Sequence, residues 1–178
     1  MSVVGTYDVV LVGGGACGAT TAYFLRQEGV SVALVDKGVV GREASWASAG
    51  MIGAESSPQR DPWFLAATTL SKELYDQLDE DLFDQTGRRI GYGGKGHLVF
   101  AANENDLEEI KKEVAYQQSH GIKAQLLTTD EALAREPALS KEIVAAAWMP
   151  GGRFLDARTY TATVAEAARL NGAQVLEG

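Results

Sequence analysis

The feature that most restricts the fold of this chain is a glycine-rich turn close to its start. Residues 13–18 have the sequence Gly-Gly-Gly-Ala-Cys-Gly, which fits the pattern G-x-G-x-x-G. The turn follows the β-branched apolar segment 7–12 and precedes a segment, 16–28, in which apolar residues recur with helical spacing. A second apolar segment, 31–35, completes a βαβ unit. We therefore predict strands that are buried on both faces of a parallel sheet and connected by a helix.

The spacing of the glycines is typical of a dinucleotide-binding turn. Gly13 permits the tight turn, Gly15 lets a pyrophosphate approach the backbone, and Gly18 lets the helix pack closely on the strand. The N–H groups and the dipole at the helix start attract the anion. Asp36 ends the second strand, where its carboxylate can accept hydrogen bonds from ribose hydroxyls. NAD and FAD share this fingerprint, so both remain open at this point.

The composition excludes several other classes of protein. The 178 residues include 24 acidic and 16 basic ones, a net charge of −8, and the basic residues form no cluster, which argues against a nucleic-acid partner. No apolar run approaches the roughly 20 residues of a membrane helix. The single cysteine cannot form an internal disulfide, and the first residues lack the features of a secretory signal. We expect a cytoplasmic protein without an integral membrane segment.

The middle of the chain has a different pattern from its start. A long helix is predicted from Asp61 and Pro62 to Gly87, with one apolar face, and residues 88–101 predict two strands joined through glycines. The leucines of that face are Leu70, Leu74, Leu78 and Leu82.

The remaining helices are marked by their capping residues. Asn103 predicts the start of a helix that stops at Gly121, and Thr128 with Glu131 forms a capping box. A strand is expected at 143–149. Asp156 then precedes a last helix, and residues 173–177 predict a third parallel strand that returns to the opening pattern.

A loop of small residues decides between the two cofactors. Residues 41–54 are too poor in large side chains to form a core and too apolar for a simple solvated loop, and small residues let a backbone lie against a flat ring system. Residues 44–51 are Ala-Ser-Trp-Ala-Ser-Ala-Gly-Met. Together with the fingerprint, this loop resembles the flavin-side loop of the D-amino-acid oxidase and glycine oxidase family, particularly the bacterial glycine oxidases of thiamine biosynthesis. The resemblance extends more loosely along the whole chain.

The resemblance implies that FAD is the cofactor and that the substrate-carboxylate arginine of the family lies in a second half that no position here matches. No catalytic residue is therefore assigned, and no metal is expected. The residues expected to bind the cofactor are Gly13, Gly15, Ala16, Cys17, Gly18, Asp36, Lys37, Ala44, Ser45, Ala49, Gly50 and Met51.

The expected fold is α/β: a Rossmann-like FAD-binding βαβ domain with an inserted mixed α+β substrate domain, in truncated form. Residues 1–86 and 151–178 are expected to form the discontinuous, incomplete FAD-binding domain. Residues 87–150 are expected to start the substrate domain.

The expected activity of the full-length protein is oxidation of the C–N bond of a small amino acid or secondary amine by oxidative deamination. The 178-residue chain alone is expected to be inactive, with a second copy or the missing C-terminal half as its partner. Two alternatives remain. One is an NAD-dependent dehydrogenase, and the other is a non-catalytic dinucleotide-binding fragment or one subunit of a hetero-complex.

Overall fold

The computed structural model describes residues 5–53 and 61–178, and by its internal contacts the chain forms two compact units. The first unit comprises Met1–Gly50, Tyr75–Tyr92 and Phe154–Gly178, and the second comprises Met51–Leu74 and Gly93–Arg153. The helices are Ala16–Gln27 (α1), Pro62–Thr86 (α2), Glu104–Ser119 (α3), Thr129–Arg135 (α4) and Ala157–Leu170 (α5). The strands are Val9–Val12 (β1), Val32–Asp36 (β2), Met51–Ile52 (β3), His97–Ala101 (β4), Gln125–Thr128 (β5), Ala145–Met149 (β6), Arg153–Phe154 (β7) and Gln174–Glu177 (β8). Ala54, the end of the small-residue loop, lies outside the described residues.

The first unit contains the predicted parallel sheet. Its strand order is β1-β2-β8, and both pairs are parallel, with Val10 opposite Ala33 and Leu34 opposite Val175. The connections α1 and α5 pack against each other. The βαβ opening and the later return of the chain to the same sheet are therefore confirmed, and the carboxyl ends of β1 and β2 lie side by side.

The prediction that these strands are buried on both faces is wrong for β1. Leu34 in the central strand is fully buried, but Val10 is 56% and Val12 is 88% exposed. Because α1 and α5 pack against each other, they cover the same face of the sheet. Side chains alternate between the two faces along a strand, so Val10 and Val12 share one face, and this face is the one exposed to solvent.

Helix α2 has the predicted bounds but not the predicted apolar face. It begins after Asp61 and ends before Gly87, whose φ of +71° belongs to the left-handed region. Leu78 and Leu82 are buried, whereas Leu70 and Leu74 are 59% and 50% exposed. A spacing of four residues advances about 40° beyond a full turn, so the first and last of these leucines lie about 120° apart around the helix axis. They cannot share one narrow face.

The second unit is built on an antiparallel sheet in the order β4-β6-β5, with His97 opposite Met149 and Leu127 opposite Ala146. Helix α3 packs on one face through Ile110 and Val114. Helix α4 packs on the other face with Leu127. Strand β5 was not predicted, and the expectation of two strands within 88–101 is wrong, since only β4 forms there. The glycines before it leave a single isolated bridge at Gly93.

Three predicted helix starts are confirmed by their capping bonds. The Asn103 side chain accepts from the Asp106 N–H at the start of α3, and the Asp156 side chain accepts from the Thr159 N–H at the start of α5. Thr128 forms the full reciprocal capping box at α4. No helix in the described part of the chain is long and apolar enough to cross a membrane.

Candidate functional site

A cavity of about 500 Å³ lies in the first unit at the carboxyl ends of β1 and β2. This is the edge of a parallel sheet at which ligands of α/β proteins bind. The cavity is lined by Val12, Gly13, Gly15, Val35, Asp36, Lys37, Gly41, Arg42, Glu43, Ala44, Ser45 and Gly178. Six of these residues belong to the predicted cofactor set, so the structure brings the start of the fingerprint, the end of β2 and part of the loop to one place.

Each fingerprint glycine has a separate physical role. Gly13 has a φ of +106°, and its N–H donates to the Val35 carbonyl at 2.8 Å, which ties the turn to β2. A Cβ at Gly18 would overlap the carbonyl oxygen of Gly13, so only glycine permits this packing of α1 on the turn. A Cβ at Gly15 would meet only the Ser45 Oγ, at 3.1 Å. A side chain at Gly15 would therefore obstruct a bound ligand more than it would disturb the fold.

The Asp36 carboxylate is held in place by two backbone groups. Its Oδ2 accepts from the Gly14 N–H at 2.7 Å, and its Oδ1 accepts from the Gly38 N–H at 2.9 Å. These bonds lower the pKa of Asp36 from 3.8, with the Gly14 bond as the largest cause. A carboxylate has about four acceptor sites, so two remain for hydroxyl donors. Asp36 is ionised, oriented and still able to bind a ribose.

The small-residue loop is fastened to the fingerprint turn at two points. The Ala16 N–H donates to the Ser45 Oγ at 2.9 Å, and the Gly41 N–H donates to the Gly14 carbonyl at 3.0 Å. The first of these bonds occupies a helix-start N–H at the place where an anion is expected. The Ser45 hydroxyl oxygen is thus the acceptor at this N–H, where an oxygen of the anion would otherwise bind. The same hydroxyl can donate its proton to a phosphate oxygen.

The other six residues of the predicted set do not line this cavity. Ala49 is exposed, and Met51 lines a cavity of the second unit. Gly50 has a φ of +72°, and a Cβ there would overlap the Leu155 carbonyl oxygen, so its glycine has a structural reason of its own. Cys17 is exposed in the first turn of α1. Ala16 and Gly18 do not line the cavity either. Contact of each residue of the predicted set with FAD stays a prediction.

The sequence analysis did not assign Gly41, Arg42 and Glu43, which begin the small-residue loop and line this cavity. Glu43 forms an ion pair of 2.8 Å with Lys37, and this pairing raises the pKa of the lysine. The Arg42 guanidinium lies 3.8 Å from the centre of the Trp46 ring. An arginine four residues before a tryptophan in an otherwise small-residue segment was the available signal.

The arrangement fits the ADP half of a dinucleotide better than a metal or a nucleophilic centre. A helix start, a glycine without a side chain at the point of approach and an oriented carboxylate are the three elements that hold a pyrophosphate and a ribose. Within residues 5–53 and 61–178 there is no group of three His, Cys, Asp or Glu side chains that could hold a metal ion. The groups that line the cavity are suited to binding and orienting a ligand.

Comparison with protein families gives one match over nearly the whole chain. The family model described as FAD dependent oxidoreductase matches residues 8–178. Among curated proteins, glycine oxidase of Geobacillus kaustophilus (strain HTA426) is 35% identical over 172 residues, which are 96% of this chain and 46% of that protein. The chain therefore spans less than half the length of this relative.

Solved structures agree with this match. The crystal structure of glycine oxidase from Geobacillus kaustophilus superposes with a TM-score of 0.91 at 34% identity, covering 96% of this chain and 46% of that one. A structure of L-alpha-glycerophosphate oxidase from Mycoplasma pneumoniae with FAD bound gives a TM-score of 0.80 at 29% identity, covering 97% and 44%. The predicted α/β fold is confirmed by these similarities.

Proposed function

The chain belongs to the FAD-dependent oxidoreductase family, and from that membership we propose that it supplies the ADP-binding half of an FAD site in an enzyme that oxidises the C–N bond of a small amino acid or secondary amine. FAD is the cofactor of this family. When bound, it supplies the electron acceptor for oxidation of the substrate. The observation that carries the proposal is the cavity of the first unit, where the fingerprint, Asp36 and Ser45 meet.

The roles of the residues in that cavity follow from their chemistry. Gly15 leaves space for the pyrophosphate, and the N–H groups at the start of α1 that Ser45 does not occupy donate to it. Asp36 accepts from the ribose hydroxyls, while Gly14 and Gly38 keep its carboxylate in position. Lys37, Arg42, Ala44 and Ser45 form the wall beside this binding path.

We assign the cofactor to the first unit and propose that the predicted substrate domain starts within the second. The similarity to the glycine oxidase of Geobacillus kaustophilus supports an amine substrate for this chain, since glycine is a small amino acid. The family match disfavours an NAD-dependent dehydrogenase. A cytoplasmic location and a second copy as partner stay predictions from the sequence.

The test uses the natural polypeptide that contains this chain, in the length that its gene encodes. We expect the visible absorption of its bound flavin to bleach under anaerobic conditions when glycine, sarcosine or D-alanine is added. Glycerol 3-phosphate serves as the comparison substrate, because one FAD-containing neighbour is an L-alpha-glycerophosphate oxidase. Bleaching by glycerol 3-phosphate and by none of the amines would show that the proposed bond class is wrong while leaving the FAD site intact.

A further inference from the structure

The second unit has a cavity of its own, with a volume of about 480 Å³. Most of its wall is apolar and comes from β3 and from the edge strand β4. One guanidinium and one imidazole interrupt this apolar wall. The lining residues are Met51, Ile52, Gly53, His97, Leu98, Val99, Phe100 and Arg153.

Arg153 is fixed in this wall by the turn that precedes it. Its Nη1 donates to the Pro150 carbonyl and to the Gly152 carbonyl, each at 3.0 Å. A guanidinium has five N–H donors, of which three are on Nε and Nη2 and are not used by these two bonds. Nε and Nη2 form one edge of the planar guanidinium, and such an edge matches the two oxygens of a carboxylate.

His97 is held against the same turn. A Cβ at Gly152 would overlap the Nδ1 of His97, so this glycine leaves the space that the imidazole ring fills. The Gly96 N–H donates to the Gly152 carbonyl at 3.0 Å, and His97 lies opposite Met149 in the sheet. The start of β4 and the turn at 150–152 therefore hold both polar groups of the cavity at fixed positions before any ligand arrives.

The rest of the wall matches an apolar group rather than a second charge. Val99 and Phe100 are 40% and 52% exposed, and Met51 is 80% exposed, although all three are apolar. None of the described residues that line the cavity is acidic. A fixed cation beside exposed apolar side chains is complementary to a molecule with one carboxylate and a short apolar group.

We propose that this cavity binds the carboxylate of a small aliphatic acid, with Arg153 as the residue that holds it. The proposal goes beyond the proposed function, because it needs no flavin and concerns residues of the second unit alone. Arg153 thereby gains a binding role in addition to bracing the turn at Pro150 and Gly152.

The first experiment is a titration of the 178-residue chain with butyrate, in the absence of FAD, followed by ligand-observed NMR. We expect saturable binding with a Kd of about 1 to 10 mM, which is what the affinity per non-hydrogen atom of a small ligand allows. 1-Butanol has the same apolar group without the charge and should not compete. Equal binding of butanol and butyrate, or no saturation by butyrate, would overturn the proposal.

Variants then assign the binding to the arginine. Arg153→Met should weaken butyrate binding about tenfold to a hundredfold, because it removes a charged hydrogen-bonding partner. Arg153→Lys keeps the charge but not the fork, and we expect an intermediate Kd. Arg135→Met is the matched control: it also removes a guanidinium from the second unit, where Arg135 lies on the Trp148 ring and is not one of the residues that line the cavity. An equal loss in both methionine variants would contradict a local site.

A second pair of variants leaves Arg153 and its turn untouched, in case Arg153→Met fails to fold. Val99→Glu places a carboxylate inside the cavity and should abolish butyrate binding, whereas Val99→Gln has the same size without the charge and should retain it. Thermal melts of both variants show whether they are folded. Butyrate binding that is unchanged in folded Val99→Glu would overturn the proposal whatever the outcome at Arg153.

Discussion

Replacement of Asp36 by alanine tests the most specific contact that the account assigns to FAD. In the chain without ligand, the carboxylate is held by the Gly14 and Gly38 N–H groups at 2.7 and 2.9 Å. Two of its acceptor sites remain for the adenosine ribose. Loss of hydrogen bonds to a charged group costs about 1.5 to 3 kcal/mol, so Asp36→Ala should weaken FAD binding roughly tenfold to a hundredfold.

The same variant should leave the affinities for FMN and riboflavin nearly unchanged, because neither ligand carries the adenosine ribose. The assay is quenching of flavin fluorescence on titration of each ligand with the purified chain. Asp8→Ala is a matched control, since Asp8 is a carboxylate bonded to Ser31 at the opposite end of the same two strands. Equal losses of affinity for FAD, FMN and riboflavin in Asp36→Ala, or an equal FAD loss in Asp8→Ala, would refute the assignment.

Three further predictions concern the glycine turn, Asp36 and the activity of the chain as a whole. Gly18→Ala should lower the free energy of unfolding by about 3 kcal/mol and the Tm by about 6 to 12 °C, because the new Cβ overlaps the Gly13 carbonyl oxygen. A Tm within about 2 °C of that of the unsubstituted chain would contradict this close packing of α1 on the turn. Because the pKa of Asp36 is lowered in the folded chain, the ionised carboxylate contributes its full stabilisation above the ordinary pKa of an aspartate, and this contribution is lost as the pH falls through the lowered pKa. When the pH is lowered below about 4, denaturant titrations should therefore show a smaller loss of unfolding free energy for Asp36→Asn than for the unsubstituted chain. The 178-residue chain with saturating FAD should show no amine oxidase turnover with glycine, sarcosine or D-amino acids, and peroxide production above that of free FAD would show that the catalytic groups lie within it.

The parts of this fold that were predictable depend on local chemistry. A strand, three spaced glycines, a helix and an acidic strand end lie within a short stretch of sequence, and their order permits only a few arrangements. The starts of α3, α4 and α5 were equally predictable, because a capping side chain bonds to a residue three positions away. Asp36 lies at the cavity as predicted, because it ends β2 beside the glycine turn that follows β1.

The parts that failed depend on which elements meet in space. The exposure of Val12 follows from both helices packing on one face of the sheet, and no pattern within β1 contains that information. The position of Met51 in a cavity of the second unit likewise depends on β4, which lies more than 40 residues further along the chain. Arg42 was missed because its spacing from Trp46 suggests a contact between the two side chains but does not show that the arginine lines the cavity.

The central claim is that the fingerprint cavity of the first unit holds the pyrophosphate of FAD. Its most direct test is an FAD titration of the unsubstituted chain and of Gly15→Val, each first shown to be folded by circular dichroism. A β-branched side chain at Gly15 occupies the space that the phosphate needs, while its nearest protein neighbour is only the Ser45 hydroxyl. We predict saturable binding to the unsubstituted chain and none to the folded variant; FAD binding of equal affinity in both would contradict the account.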